Sequence, residues 1–117
     1  VGSTAVAVLL TAESIICGNA GDSRAVLCRG GFPIELSCDH KPALPEEKRR
    51  IEEAGSCLVE ARAKLHSSSE CRINGGLNLS RAFGDFKYKD QSGLPRERQA
   101  VICTPEIKVV PLSAEDD

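Results

Sequence analysis

The sequence has 117 residues, of which 41% are hydrophobic and 27% charged, and carries a formal net charge of −2; these values fit one folded domain and exclude a disordered or strongly basic chain. No basic run exceeds Lys48-Arg49-Arg50, so nothing favours nucleic acid, and no apolar run approaches the roughly 18 residues of a membrane span. With no signal-peptide layout either, the expected location is intracellular, cytoplasmic or nuclear, away from membranes. The chain begins with Val1, in what reads as the start of a strand, and contains no Met, which leads to the expectation of an internal fragment. Residues 6–10 are an unbroken apolar run, expected to be a strand buried on both faces. Residues 15–17 and 24–28 are further short β-branched runs, and all three read as consecutive antiparallel strands. Between the last two lies Gly18-Asn19-Ala20-Gly21-Asp22-Ser23-Arg24, which sets a lone carboxylate on a glycine turn at the rim of a sheet. Asp22 there either hydrogen-bonds its own turn or reaches a cation.

Gly30-Gly31 turns the chain into a strand over residues 32–36, with Pro33 at an edge position. Asp39-His40-Lys41-Pro42 is a polar turn before the one clear helix, residues 45–54. Pro45 suits its first turn, Glu46 and Glu47 its positive end, and Gly55 its left-handed close. Glu46 with Arg50, Lys48 with Glu52 and Arg49 with Glu53 are i,i+4 pairs on a solvated face, leaving Ile51 and Ala54 to dock. Residues 57–59 read as a strand, 61–70 as a polar excursion, and 71–74 as a segment turning at Gly75-Gly76. Residues 77–84 are compact, 90–98 form a loop, and 100–103 and 107–110 are the last strands. The acidic Ala114-Glu115-Asp116-Asp117 then stops without a closing element. Short strands with few helices and no strand-helix-strand repeat predict an antiparallel α+β sandwich fragment.

The six cysteines lack metal-ligand spacing and mostly sit in apolar runs, so free thiols in a reducing compartment are expected. Asn78-Leu79-Ser80 fits a glycosylation sequon, which matters only in a secreted protein. No G-x-S-x-G turn, Walker-type loop or H-E-x-x-H pair occurs. His40, beside Asp39, is either one half of a base-and-orienter pair or a hydrogen-bonded loop histidine, and His66 reads as facing water.

Six motifs in order resemble one family: Gly2-Ser3-Thr4-Ala5; Asn19-Ala20-Gly21-Asp22-Ser23-Arg24-Ala25-Val26-Leu27; Leu36-Ser37-x-Asp39-His40-Lys41-Pro42; Glu47-x-x-Arg50-Ile51-x-x-Ala54-Gly55; Arg72-Ile73-Asn74-Gly75-Gly76-Leu77-Asn78-Leu79-Ser80-Arg81-Ala82-Phe83-Gly84-Asp85; and Thr104-Pro105-Glu106-Ile107. The chain is similar over nearly its whole length to metal-dependent protein serine/threonine phosphatases of the protein phosphatase 2C type. The Gly-Gly-Leu-Asn-Leu-Ser-Arg form, with Leu94-Pro95 and Gln99 downstream, is most similar to gamma-type members.

The resemblance implies two antiparallel sheets flanked by helices, and residues 1–117 as the central part of one such catalytic domain, incomplete at both ends. It implies two core Mg²⁺ or Mn²⁺ ions in the intact parent and a water held by them that attacks phosphoserine or phosphothreonine in protein substrates. The intact parent is expected to be a monomer. The family's core metal ligands, general acid and phosphate-binding arginine match no residue here, so no catalytic residue is assigned. Asp22 alone resembles a metal-site residue, the aspartate near a third, weaker ion. Asp39, His40, Arg81 and Asp85 also match family positions and are expected to make structural hydrogen bonds. Residues 58–73 correspond to the family's flap beside the metal channel, where Arg62, Lys64, His66 and Arg72 either meet the target or form an inert loop. A non-catalytic, phosphatase-like binding module is the alternative to a phosphatase.

Overall fold

Polar Thr11 to Ser14, between two apolar runs, turns the chain back on itself, because the Thr11 hydroxyl accepts from the Ser14 amide (2.9 Å) while Thr11 N donates to Ser14 O (2.9 Å). The computed structural model describes residues 1–62 and 69–117. In it this turn joins β2 (Ala5–Leu10) to β3 (Ser14–Ala20), after a two-residue strand β1 (Gly2–Ser3). The glycine turn then leads to β4 (Val26–Arg29) and β5 (Phe32–Glu35), and α1 follows at Pro45–Glu53. A hairpin of β6 (Leu58–Arg62) and β7 (Ser69–Ile73), the short β8 (Phe83–Gly84) and β9 (Glu106–Pro111) complete the elements. The polar excursion predicted around Lys64 and His66 lies outside the described residues.

Every named strand pair is antiparallel, as the α+β reading expected. The largest sheet has the order β2-β3-β9, with Ile15 opposite Leu10 on one side and Val110 on the other. Ile15 and Cys17 turn one face of it onto Leu27 and Leu36, joined by Val6, Ala25, Ile34 and Val110. A second core gathers Ile51 of α1, Ile73 of β7, Ala82 and Val101, flanked by Leu58, Leu77, Leu79 and Tyr88.

Three strand expectations are corrected. Residues 6–10 are not buried on both faces: β2 is an edge strand, and Val8, Leu9 and Leu10 are 52%, 60% and 66% exposed. Residues 100–103 form no strand beyond one bridge from Ile102 to Arg81, because their backbone groups go to scattered partners: Ala100 O accepts from Arg50 (3.4 Å), Val101 N donates to Tyr88 O (3.3 Å) and only Ile102 joins the segment around Arg81. The predicted strand 24–28 starts only at Val26, since Arg24 is tied to Asp39 and the Ala25 amide to Ser37 Oγ (2.8 Å). The acidic end is tied back to β4 and the turn after it: Arg29 holds Asp116 at both carboxylate oxygens, Gly30 N donates to Glu115 O (2.8 Å) and Asp117 N to Cys28 O (3.0 Å).

The helix lies where predicted, with Pro45 in its first turn and Gly55 just beyond its end at φ +79°. Ile51 and Ala54 are buried, but so is Glu47, to which the sequence reading gave only a place at the helix's positive end. Arg50 turns inward to Glu47 rather than outward to Glu46, and of the three expected i,i+4 pairs only Lys48–Glu52 is formed, at 3.8 Å.

Candidate functional site

Gly21 and Asp22 form the turn that sequence reasoning singled out, and a second loop, residues 36–41, braces it along its length. Leu36 N donates to Ala25 O (2.9 Å), and Asn19 Nδ2 donates to Cys38 O (2.8 Å) and to Gly21 O (3.2 Å). His40 N donates to Gly21 O (3.0 Å), and Lys41 Nζ donates directly to Asp22 Oδ2. Arg24 grips Asp39 through Nε and Nη2 at 2.8 and 3.0 Å, and these charge-assisted hydrogen bonds hold the Asp39 carboxyl below its usual range. Gly21 allows this close fit: its φ is +123°, and a Cβ there would collide with the Thr4 side chain and lie 3.0 Å from Arg81 O.

His40 is 2% exposed and is a loop histidine bonded on both ring nitrogens. Its Nδ1 lies 3.1 Å from Gly21 N and its Nε2 3.2 Å from Glu106 Oε2. Gly21 O also stands 3.1 Å from Nδ1, so this one residue faces the ring with both its amide and its carbonyl. Asp39 points to Arg24, not to His40, so the base-and-orienter pair is absent. Asn19 is equally buried, and its Oδ1 has no hydrogen-bond partner among the described residues.

A second cluster, around Glu47, lies on the far side of His40. The Glu47 carboxylate takes Arg81 Nη2 at 2.7 Å on Oε1 and, on Oε2, Arg50 Nη2 at 2.7 Å with Ser80 Oγ at 2.5 Å. Burial raises the pKa of such a group, but the hydrogen bonds from Arg50, Arg81 and Ser80 outweigh it and lower Glu47 from 4.5 to about 2. Ser80 also links the two clusters: its amide donates to His40 O at 2.9 Å, while its Oγ, whose single proton goes to Glu47, lies 3.0 Å from the same oxygen. Arg81 reaches further, to Thr104 O at 3.1 Å.

The structural roles expected for Asp39, His40 and Arg81 match these bonds. Asp85 adopts a left-handed φ of 49°, with its amide donating to Val1 O at 3.0 Å. The Glu47 cluster escaped sequence reasoning, although Glu47-x-x-Arg50 sets opposite charges one helical turn apart. Asp22, the expected metal-site residue, is bonded to Lys41 and not to its own turn among the described residues. Among the described residues no three His, Cys, Asp or Glu side chains converge to hold a metal ion, and all six cysteines are free. With Asp22 on Lys41, Asp39 on Arg24 and Glu47 on two arginines, the carboxylates of these two clusters do not fit a divalent cation by themselves.

The family model for protein phosphatase 2C matches residues 1–117. Protein phosphatase ppm-1.G of Caenorhabditis elegans is 43% identical over 116 residues, covering 99% of this chain and 22% of that protein. Probable protein phosphatase 2C 2 of Paramecium tetraurelia is 44% identical over 115 residues, covering 98% of this chain and 35% of its own length. Among solved structures, a phosphatase from a pathogenic strain of Toxoplasma gondii superposes with a TM-score of 0.77 at 39% identity, over 88% of this chain and 29% of that one. The chain thus spans between 22% and 35% of the length of these two curated relatives. With the family model matched from end to end and the antiparallel fold shared with a solved phosphatase, the chain belongs to the protein phosphatase 2C family.

Proposed function

We propose that residues 1–117 are the central part of a protein phosphatase 2C catalytic domain whose intact parent hydrolyses phosphoserine and phosphothreonine in proteins, using Mg²⁺ or Mn²⁺. The observation that carries the reading is the family match over every residue of the chain. The metal ions would be held mostly by carboxylates other than those described above, so no step of hydrolysis is assigned to residues of this chain. Their part is to build the frame: the Glu47 cluster fixes α1 to the segment around Ser80 and Arg81, and His40 fixes that segment to the Gly21-Asp22 turn. Asp22, paired with Lys41 at the rim of the largest sheet, is the one carboxylate of this chain that would face a peripheral ion, and only with ligands from outside these clusters.

The test compares the isolated chain with the intact parent on phosphoserine and phosphothreonine peptides and on p-nitrophenyl phosphate. Turnover by the parent that EDTA abolishes and Mn²⁺ restores is expected, with none from the isolated chain. An inactive, correctly folded parent would favour a phosphatase-like binding module, a reading that the pairing of Asp22 with Lys41 also fits. Metal-dependent turnover by the isolated chain would overturn the proposed location of the ligands.

A further inference from the structure

We infer that the cleft beside β8 binds a small organic acid, an aromatic group that carries one carboxylate. The cleft has a volume of about 510 Å³, within the range of small-molecule sites, and its lining includes Phe83, Phe86 and Ile102. Phe83 and Phe86 are two of only three phenylalanines in the chain, yet both stand open, at 53% and 77% exposed, whereas Ile102 is buried. Rings this exposed offer a large apolar surface to whatever enters. Lys89 and Arg96 also line the cleft, and no Asp or Glu does. Arg24, Arg29, Arg50 and Arg81 each meet a carboxylate. By contrast, Lys89 Nζ donates to a neutral oxygen, Ala82 O (2.5 Å), and among the described residues neither Lys89 nor Arg96 forms an ion pair. The Lys89 ammonium keeps two further donors and the Arg96 guanidinium five, so both can turn to one anion. Beside an apolar wall, such cations favour a carboxylate over a neutral group.

The cleft is also built before any ligand arrives. Gln99, 5% exposed and part of the lining, accepts from the Gln91 amide at Oε1 (3.0 Å). Its Nε2 donates to Gln91 O (3.0 Å) and Leu94 O (2.9 Å), which fixes the loop that carries Arg96. The turn that carries Phe86 is fixed as well: Tyr88 N donates to Asp85 O (3.0 Å) and Lys89 N to Phe86 O (2.8 Å), while Tyr88 O accepts from Val101 N (3.3 Å). Binding therefore costs little ordering beyond the rotamers of Lys89 and Arg96. The volume suits one ring on a short chain and not a docked helix, which commits the site to a free acid.

The experiment titrates 3-phenylpropanoate, and as its uncharged counterpart 3-phenylpropanamide, into the intact parent while following the Ile102 methyl and the Phe83 and Phe86 ring signals by NMR. The acid is expected to shift them with a Kd of about 1 mM, about three- to tenfold below that of the amide at low salt and closer to it at high salt. Arg96→Gln should weaken the acid by about threefold or more and leave the amide unchanged. Phe86→Ser should weaken both ligands alike. Both substitutions fall at exposed positions, so melting temperatures equal to that of the unmodified protein are expected and separate lost binding from lost folding. Equal affinity for acid and amide would overturn the role of the two cations, and binding indifferent to Phe86→Ser would overturn the location. No shift of these signals at about 20 mM acid, as when another part of the parent covers the cleft, would overturn the inference whole. None of these outcomes bears on the proposed phosphatase activity.

Discussion

Arg81 donates to Glu47 across 34 residues of chain, Nη2 to Oε1 at 2.7 Å, and both side chains are largely out of water, at 16% and 3% exposed. A carboxylate buried this deeply is tolerable only because every oxygen is used. Glu47→Gln keeps the shape, removes the charge and puts an amide group where a guanidinium or the Ser80 hydroxyl must donate. We expect a loss of about 3 kcal/mol in unfolding free energy, read from urea denaturation. A loss below about 1 kcal/mol would mean that the cluster relaxes around a neutral residue.

The same carboxylate sets an acid limb. Its pKa is about 2 in the folded protein against an ordinary 4.5, so its stabilisation is present in full above 4.5 and is lost as pH falls toward 2. Unfolding free energy should therefore decline across that window in the unmodified protein and decline less steeply in Glu47→Gln. Superimposable acid limbs for the two proteins would assign the decline to other carboxylates, Asp39 and Asp116 first, since both are also held low by arginine partners.

Two glycines with positive φ separate steric crowding from backbone strain. Gly21 (φ +123°) is packed against Thr4 and Arg81 O, whereas Gly93 (φ +85°) has nothing within 4 Å of where a Cβ would stand. Gly93→Ala should cost about 1 kcal/mol, the ordinary penalty of a left-handed alanine. Gly21→Ala should cost several times as much, because the new methyl also forces Thr4 and the strand before it outward. Equal melting temperatures for the two variants would contradict the tight fit of the turn.

Apolar residues on the two faces of the β2-β3-β9 sheet should respond oppositely to substitution. Ile15, 5% exposed, packs in the core, and Ile15→Ala is expected to cost about 2–5 kcal/mol. Val109, 58% exposed on β9, has no such neighbours, and Val109→Thr should change stability by less than about 0.5 kcal/mol. Leu9, Ile107 and Val109 together leave an apolar surface open, so the isolated chain should bind a hydrophobic dye and self-associate. A sharp, reversible transition from a non-associating monomer would show that this surface needs no cover.

Strands and helix were legible from residues 6–10, 45–54 and 107–110 because local pattern decides them. Periodicity marked β2 as apolar throughout but could not tell whether both its faces are covered, since burial depends on what packs against a strand and not on the strand itself. The segment 100–103 misled for a related reason: Val101 and Ile102 favour extension, yet Ala100 O goes to the Arg50 side chain and Val101 N to Tyr88 O, so no run of ladder bonds remains. At the candidate site the glycine turn was legible, because Gly21-Asp22 is a local signal. Its partner was not: nothing in sequence spacing ties Asp22 to Lys41 or Glu47 to Arg81, because the pairs exist only once two loops lie side by side.

The central position of β3 also fixes an order of events during synthesis. Its first edge is satisfied at once by β2, only a short turn away, whereas its second edge belongs to β9, whose register joins Asn19 to Glu106. At about 5–20 residues per second, a ribosome needs on the order of ten seconds to make the intervening chain. For that interval a half-finished sheet presents an unpaired row of amides and carbonyls beside Ile15 and Ile16, open to any extended neighbour. Completion of this sheet thus waits until β9 has been made, and a nascent chain stalled before Glu106 should be more prone to associate with a second copy of itself than one that has passed it.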